Sequence, residues 1–344
     1  MINLRSKLNL STSMQSEFVV LAVAILLSSC AKPADDETNF YDGKTISYIV
    51  STDPGGGYDT YARMIGNYLQ NYIGADNVVI RNVPGAGHMV GANTLWRSRP
   101  DGLTIGTFNV GLVYGQLIGK GGIQFDLRKF EWIGKAAGEP RSIVVSNDCK
   151  IKSIADLLAV TEPVTFGSAG LGSASYSDTM LLAHALDLKL NVVPGFEGTE
   201  GEMSMMRGEV CAILGSTSSH QAFVDSGYGH FILTIGGEIE GVPNAMDFAE
   251  SESDRRLIAI IDALARLGRV TAAPPETPAA RVAALRAAYR QSLEDPKLLE
   301  EAHKMLRPIE PAYGDEVTQL IVDALDQTPE TIALIKKAIE GTTQ

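Results

Sequence analysis

A chain of 344 residues, 45% hydrophobic and 20% charged with 34 Gly, is too long for one ordinary core and too apolar for disorder, so two domains are expected. Its 29 basic and 41 acidic residues leave a formal charge of -12, which removes the electrostatic footing that DNA or RNA binding needs. The same sign repels a distant anion, so any anion site must rest on local backbone dipoles or a few placed donors.

The first residues read as an address. Arg5 and Lys7 precede an apolar run from Phe18 to Leu27, about half the ~20 residues that a spanning helix needs. The run ends at Leu27-Ser28-Ser29-Cys30, which resembles a bacterial lipobox: an aliphatic residue three before the cysteine, then small residues. The expectation is a lipoprotein signal peptide over 1–29, acyl chains on Cys30, and a polar tether over 30–39 that holds the protein to a membrane on its periplasmic or cell-surface face. An ordinary secretory signal with a chance cysteine is the alternative. Cys149 and Cys211 remain, and outside the cytoplasm they can pair as a disulfide or stay as two buried thiols.

Thr45 to Ser51 reads as a strand, Pro54-Gly55-Gly56-Gly57 as a turn and Asp59 as a helix N-cap, with Ala62, Ile65, Leu69 and Tyr72 at helical spacing behind it. A second strand runs from Asn77 to Asn82. Pro84-Gly85-Ala86-Gly87 then turns into a small-residue helix through Val90, Ala92 and Leu95, and Asp101-Gly102 leads to a third strand, Leu103 to Asn109. This βαβαβ order predicts a parallel sheet covered by helices.

After Pro140 the pattern restarts with a strand at Ile143–Val145, a helix near 153–158 and a strand at Val164–Phe166. Gly167-Ser168-Ala169-Gly170-Leu171-Gly172-Ser173 turns into a helix over about 175–186. A strand at Leu190–Val193 precedes Pro194-Gly195, and Thr199 with Glu202 has capping-box spacing for a helix ended by Gly208. Val210–Leu214 is a further strand, opening into the polar loop 215–219. Thr277-Pro278 begins an Ala-rich helix, with Thr277 as cap and Pro278 in the first turn, and two more helices follow over 296–305 and 314–337. Two α/β units with a helical tail predict two lobes around a cleft: 40–138 with 236–344, and 139–235.

Three glycine turns, 54–58, 84–88 and 167–173, each join a strand to a helix, where free N–H groups and the absence of a side chain make anion sites cheap. Nucleotide motifs fail on detail, because Gly85, Gly87 and Gly91 are spaced one residue too widely for the dinucleotide fingerprint and no turn continues into Gly-Lys-Ser/Thr. Gly167-Ser168-Ala169-Gly170 lacks the frame of a nucleophile elbow. The histidines at 88, 184, 220, 230 and 303 include no HExxH pair, so neither a catalytic residue, a metal site nor a cofactor is expected. His88 opens a helix beside a glycine turn and reads either as a donor to an anion or as a partly exposed bystander. His184 reads as structural, Ser168, Ser173 and Ser175 as caps or carboxylate donors, and Met203, Met205 and Met206 as core.

Asp53-Pro54-Gly55-Gly56-Gly57-Tyr58-Asp59, Asn82-Val83-Pro84-Gly85-Ala86-Gly87, Asp101-Gly102 and the 167–173 loop resemble, in this order, the tripartite tricarboxylate transporter substrate-binding receptors, or Bug proteins. The similarity extends over nearly the whole chain beyond the signal segment, including Thr277-Pro278. It implies a type II, Venus-flytrap fold of two α/β lobes that close on a small carboxylate and deliver it to a membrane permease. In such receptors, amides of the first proline-glycine loop and of the serine-glycine loop hold the carboxylate, which maps here onto Gly56, Gly57 and Tyr58 and onto Ser168, Ala169 and Gly172. Family members often carry glycine where His88 stands, and many have an aspartate near Gly215 that binds a ligand amino group; its absence counts against an amino-acid ligand.

The expected site therefore comprises Gly56, Gly57, Tyr58 and Asp59 with Ala86, Gly87 and His88 on one lobe. On the other it comprises Ser168, Ala169, Gly172 and Ser173, with Gly195, Phe196 and Thr217 shaping the far end. The competing readings are a sensory or scaffold lipoprotein of the same fold and a serine hydrolase using Ser168 or Ser173.

Overall fold

The computed structural model describes residues 39–138 and 140–341. The expected signal peptide, the lipidated Cys30 and all but the end of the tether lie outside them. The runs of β-branched residues become two separate sheets. The first has strand order β11-β4-β10-β3-β1-β2, from β1 (Thr45–Val50), β2 (Asn77–Asn82), β3 (Thr104–Thr107), β4 (Glu131–Lys135), β10 (Val270–Ala273) and β11 (Ala312–Tyr313). Its β1 pairs in parallel with both β2 and β3, as the βαβαβ order requires. β10 enters antiparallel between β3 and β4, and β11 lies antiparallel on β4.

The second sheet has order β7-β6-β8-β5-β9, from β5 (Arg141–Ser146), β6 (Val164–Ser168), β7 (Leu190–Pro194), β8 (Ala212–Ser216) and β9 (Gly229–Ile235). β6 runs parallel to β7 and β8, while β5 is antiparallel to β8 and β9. All six residues of β5 are buried, as expected of a strand with neighbours on both edges and cover on both faces. The fold is thus α/β and two-lobed, with helices packed on each sheet.

The helices follow the sequence pattern more closely in their interiors than at their ends. α1 (Gly57–Ile73) buries Tyr58, Tyr61, Ala62, Ile65 and Leu69 and stops at Gly74, whose φ of 74° is left-handed. Its N-cap is Gly56, not Asp59. Asp59 sits in the first turn and accepts from the Gly55 amide at 2.9 Å, from Asn82 Nδ2 at 2.9 Å and from Arg63 Nε at 2.9 Å, so its carboxylate braces the glycine turn from behind. Burial alone would raise its pKa, but these three partners together hold it below the ordinary value.

α2 (Met89–Trp96) and α3 (Leu112–Leu117) complete the first sheet's N-terminal half. In the second lobe, α4 (Ile154–Ala159) and α5 (Ala174–Ala185) are capped by Ser153 and Ser173, which accept from Asp156 N and Tyr176 N. α6 (Glu200–Met206) starts after Thr199, but Thr199 makes no side-chain cap and the anticipated capping box does not form. The expected polar loop 215–219 is instead the end of β8 and the start of α7 (Thr217–Asp225).

A capping box does form where none was anticipated, at Ser251 and Asp254 ahead of α8 (Glu252–Leu267). α9 (Ala279–Glu294) begins after Pro278 without a side-chain cap, because the Thr277 hydroxyl donates back to the Pro274 carbonyl. α10 (Pro296–Lys304) follows, and the span expected as one helix over 314–337 is two, α11 (Asp315–Leu325) and α12 (Pro329–Glu340), broken by Thr328-Pro329. α8 and α12 both pack on α5 of the second lobe. Met205 is core, but Met203 and Met206 are half exposed, and His184 is exposed, since their helix faces turn to solvent.

Cys149 and Cys211 form a disulfide between the turn after β5 and the approach to β8. It closes a loop with a sequence separation of 62, so its removal enlarges the unfolded ensemble. Replacing both cysteines with serine is expected to lower unfolding stability by about 2–4 kcal/mol in urea titrations, and reduction of the native protein should do the same. Equal midpoints for oxidised and reduced protein would refute this.

Candidate functional site

The carboxyl ends of β1, β2, β3, β6, β7 and β8 face one another, and between them lies a cavity of about 430 Å³. That volume suits a small molecule. Its floor on the first lobe is the 55–58 turn, where the amides of Gly57 and Tyr58 have no acceptor among the described residues, because the first intrahelical bond is Thr60 N to Gly56 O. Two unspent N–H groups at the start of a 17-residue helix are suited to cradle an anion without net positive charge.

The opposing loop works differently. The Ala169 amide already donates to Ser175 Oγ at 3.0 Å and the Gly170 amide to Ser173 Oγ at 3.3 Å. What this loop turns toward the cavity is therefore the Ser175 hydroxyl, with Ala169 beside it. Of the residues expected at the site, Gly56, Gly57, Tyr58, His88, Ala169 and Phe196 line the cavity. Asp59, Ala86, Gly87, Ser168, Gly172, Ser173, Gly195 and Thr217 are outside its lining.

Those eight residues lie behind the lining, in the loops that support it. Ala86 and Gly87 carry φ of 50° and 61°, and a methyl at Gly87 would fall 2.3 Å from the Leu171 carbonyl oxygen of the other lobe. Gly195 donates to the carbonyls of Ser168 and Ala169, Ser168 Oγ lies 3.5 Å from Val193 O, and Gly172 faces the Lys120 ammonium. Thr217 bonds Pro140 and Ser142 where the chain crosses between the lobes. Ser168 and Ser173 thus face backbone or serine partners, an arrangement that activates neither as a nucleophile.

Three arginines that no motif announced also border the cavity: Arg141, Arg269 and Arg307. Arg269 stacks over Tyr58 at 4.4 Å from the ring centroid and donates from Nη2 to Ser219 Oγ at 3.2 Å, joining the two lobes. Arg307 donates to the Ser218 carbonyl across the same gap. Arg141 pairs through Nε with Asp178 Oδ2 at 2.8 Å and donates from Nη1 to Ser216 Oγ at 3.1 Å. These three cations answer the problem set by a chain of charge -12, because they place positive charge only where the cleft closes.

The cavity also holds acceptors. His220 Nδ1 lies 2.7 Å from Glu202 Oε1, and although burial would raise the Glu202 pKa, His220 and the charge of Arg307 hold it low. Glu197 behaves in the opposite way, since burial and the adjacent Asp53 push its carboxyl up to about 7. Asp53 and Glu197 meet across the cleft between the two sheets, as do Pro54 and Gly198. His88 is only 3% exposed, which removes the partly exposed bystander of its two readings, and burial lowers its pKa to about 4.

Residues 61–338 match the family model described as the tripartite tricarboxylate transporter family receptor. The UPF0065 protein in the TAR-I ttuE-ttuC' intergenic region of Agrobacterium vitis is 26% identical over 303 residues, covering 86% of this chain and 84% of that one. Among solved structures, the periplasmic binding protein BugD superposes with a TM-score of 0.72 at 21% identity, covering 86% of this chain and 97% of its own. MatC from Rhodopseudomonas palustris with bound malate gives 0.70 at 20% identity, covering 85% and 98%. A further R. palustris protein with adipate gives 0.68 at 16% identity, covering 86% and 97%.

Proposed function

The chain belongs to the tripartite tricarboxylate transporter receptor family, and from that premise we propose that it captures a small carboxylate between its lobes and hands it to a membrane permease. The family consists of solute-binding receptors, so no chemical step is assigned. The observation that carries the reading is the cavity itself, where unspent α1 amides on one lobe and Ser175 on the other meet three arginines in an otherwise acidic protein. The malate and adipate seen in structural relatives support the ligand class.

Residues 40–138 with 236–344 form one proposed lobe and 139–235 the other, a division supported by the separate sheets. The packing of α8 and α12 on α5 ties the C-terminal stretch to both. Lipid anchoring through Cys30 on the outer face of a membrane is part of the same proposal. Among the described residues no helix is long and apolar enough to cross a membrane, so the anchor would rest on acyl chains. Mass spectrometry of the membrane fraction tests it: diacyl or triacyl mass on an N-terminal Cys30 peptide is expected, and a free Cys30 thiol would refute it.

A thermal-shift screen with mono-, di- and tricarboxylates tests the central claim, since a ligand at 100 times its Kd stabilises the folded state by about 2.7 kcal/mol. No shift with any carboxylate at millimolar concentration would overturn it.

The Asp53–Glu197 contact makes binding pH-dependent. A carboxyl whose pKa is raised in the closed form takes up a proton on closing, so its stabilisation is complete below the ordinary carboxyl value, 4.5, and is lost as pH rises through about 7. Affinity for a bound carboxylate is expected to fall between about pH 4.5 and 7, by at most about tenfold per unit, and to level off above. Glu197→Gln should flatten the profile in calorimetry; an unaltered slope in that variant would rule out Glu197 as its source.

A further inference from the structure

His88 has backbone angles of φ 75° and ψ -2° ahead of α2, the last of four consecutive residues with positive φ after Gly85, Ala86 and Gly87. Glycine would adopt this conformation without strain, so a histidine here is held at a cost and supplies a side chain that glycine cannot. Its Nδ1 lies 3.0 Å from the Ser51 carbonyl oxygen. A carbonyl only accepts, so Nδ1 carries the proton and Nε2 is left as a lone pair. The ring is 3% exposed, it borders the cavity, and Nε2 has no hydrogen-bond partner among the described residues.

The surroundings fix what such an acceptor can do. The His88 ring stands 6.5 Å, centroid to centroid, from Tyr58 of the amide cradle, and the preceding Gly87 packs against Gly170 of the serine loop. It therefore sits at the carboxylate end of the cavity. A carboxylate oxygen cannot satisfy it, because two acceptors facing each other repel. We infer that His88 selects ligands with a hydroxyl next to the bound carboxylate, the 2-hydroxycarboxylates, by accepting that hydroxyl's proton in a hydrogen bond at Nε2. The inference rests on the receptor reading above and narrows its ligand class. Burial keeps the imidazole neutral, so the lone pair is present at neutral pH despite the nearby Asp53 charge.

The test is calorimetry on pairs that differ by one hydroxyl: malate against succinate, 2-hydroxyglutarate against glutarate, and lactate against propionate. In the wild-type protein the hydroxy acid of at least one pair should bind at least about tenfold more tightly, because a site built to pair a hydroxyl rejects the analogue that lacks it. In His88→Gly, which suits the left-handed backbone, and in His88→Asn, the ratio should fall toward one. A structural role alone would weaken both members of a pair equally and leave the ratio intact, and that result overturns the inference. Equal affinities within every pair in the wild-type protein also overturn it, as does tighter binding of aspartate than of malate. Failure of every carboxylate to bind refutes the receptor reading itself.

Discussion

Gly111→Ala is expected to weaken carboxylate binding by about 1000-fold. Gly111 precedes α3 at φ -58° and ψ -17°, helical angles that alanine adopts freely. The obstacle is across the cleft: an added methyl carbon would lie 2.4 Å from the Ala174 amide nitrogen and 2.7 Å from its Cα, at the first turn of α5 in the other lobe. Backbone at that distance cannot swing aside as a side chain can. The same junction is latched by Asn109 Oδ1, which accepts from both Gly111 N and Ala174 N.

Closure is thus penalised where the lobes meet, and a ligand that touches only one lobe keeps roughly half of its contacts. If the closed complex is micromolar, about -8 kcal/mol, half of that is millimolar. Gly57→Ala is a weaker counterpart, because its methyl would meet the Arg269 guanidinium at 2.7 Å and Ser219 Oγ at 2.9 Å, ends of side chains that can move. Calorimetry beside thermal melts of both variants checks the ranking. Unchanged affinity in a folded Gly111→Ala protein would show that the lobes do not need this contact to bind.

The parallel half of each sheet was legible because its evidence is local: a β-branched run, a glycine turn and a helical repeat stand together in β1 to β3 and again in β6 to β8. β10 was not. It has four residues, it pairs with strands more than 130 residues earlier, and nothing around Val270 announces that the chain returns to the middle of the first sheet. α8 is a different case, since Leu257, Ile258, Ile261 and Leu264 with the Ser251–Asp254 box carry a plain amphipathic signal that a pass along the chain can find.

At the site, the glycine turns pointed to the right strand ends, but glycine spacing does not say which residues of a turn face inward. Ser168 and Ser175 are equally polar in sequence, and only the capping geometry of α5 puts Ser175 on the cavity side. The arginines stand beside Pro140, Gly268 and Pro308, with no shared motif. They converge because β5, β10 and the segment before β11 all open on the same cleft.

Arg141 carries the largest expected effect on stability. It is 8% exposed, and its partner Asp178, 2% exposed, also accepts from the Tyr114 hydroxyl at 2.9 Å. Tyr114 belongs to α3 and Asp178 to α5, so the network spans both lobes at the edge of the cavity. Arg141→Met keeps much of the side-chain bulk and removes the charge, which strands a buried carboxylate at a cost of about 3–5 kcal/mol. Burial already raises the Asp178 pKa, and the Arg141 charge opposes that rise. Without the arginine the carboxyl should climb further and take up a proton. The sign follows from linkage: a folded-state pKa raised above its unfolded value gives stability at low pH that is lost as pH rises through it. The destabilisation in urea should therefore be smaller at pH 5 than at pH 8. Asp178→Asn added to Arg141→Met should recover most of the loss at pH 8, because an amide still accepts from Tyr114 and carries no charge to strand. A single variant as stable as the wild type at pH 8, or a double variant no better than the single, would show that the ion pair does not hold this part of the fold.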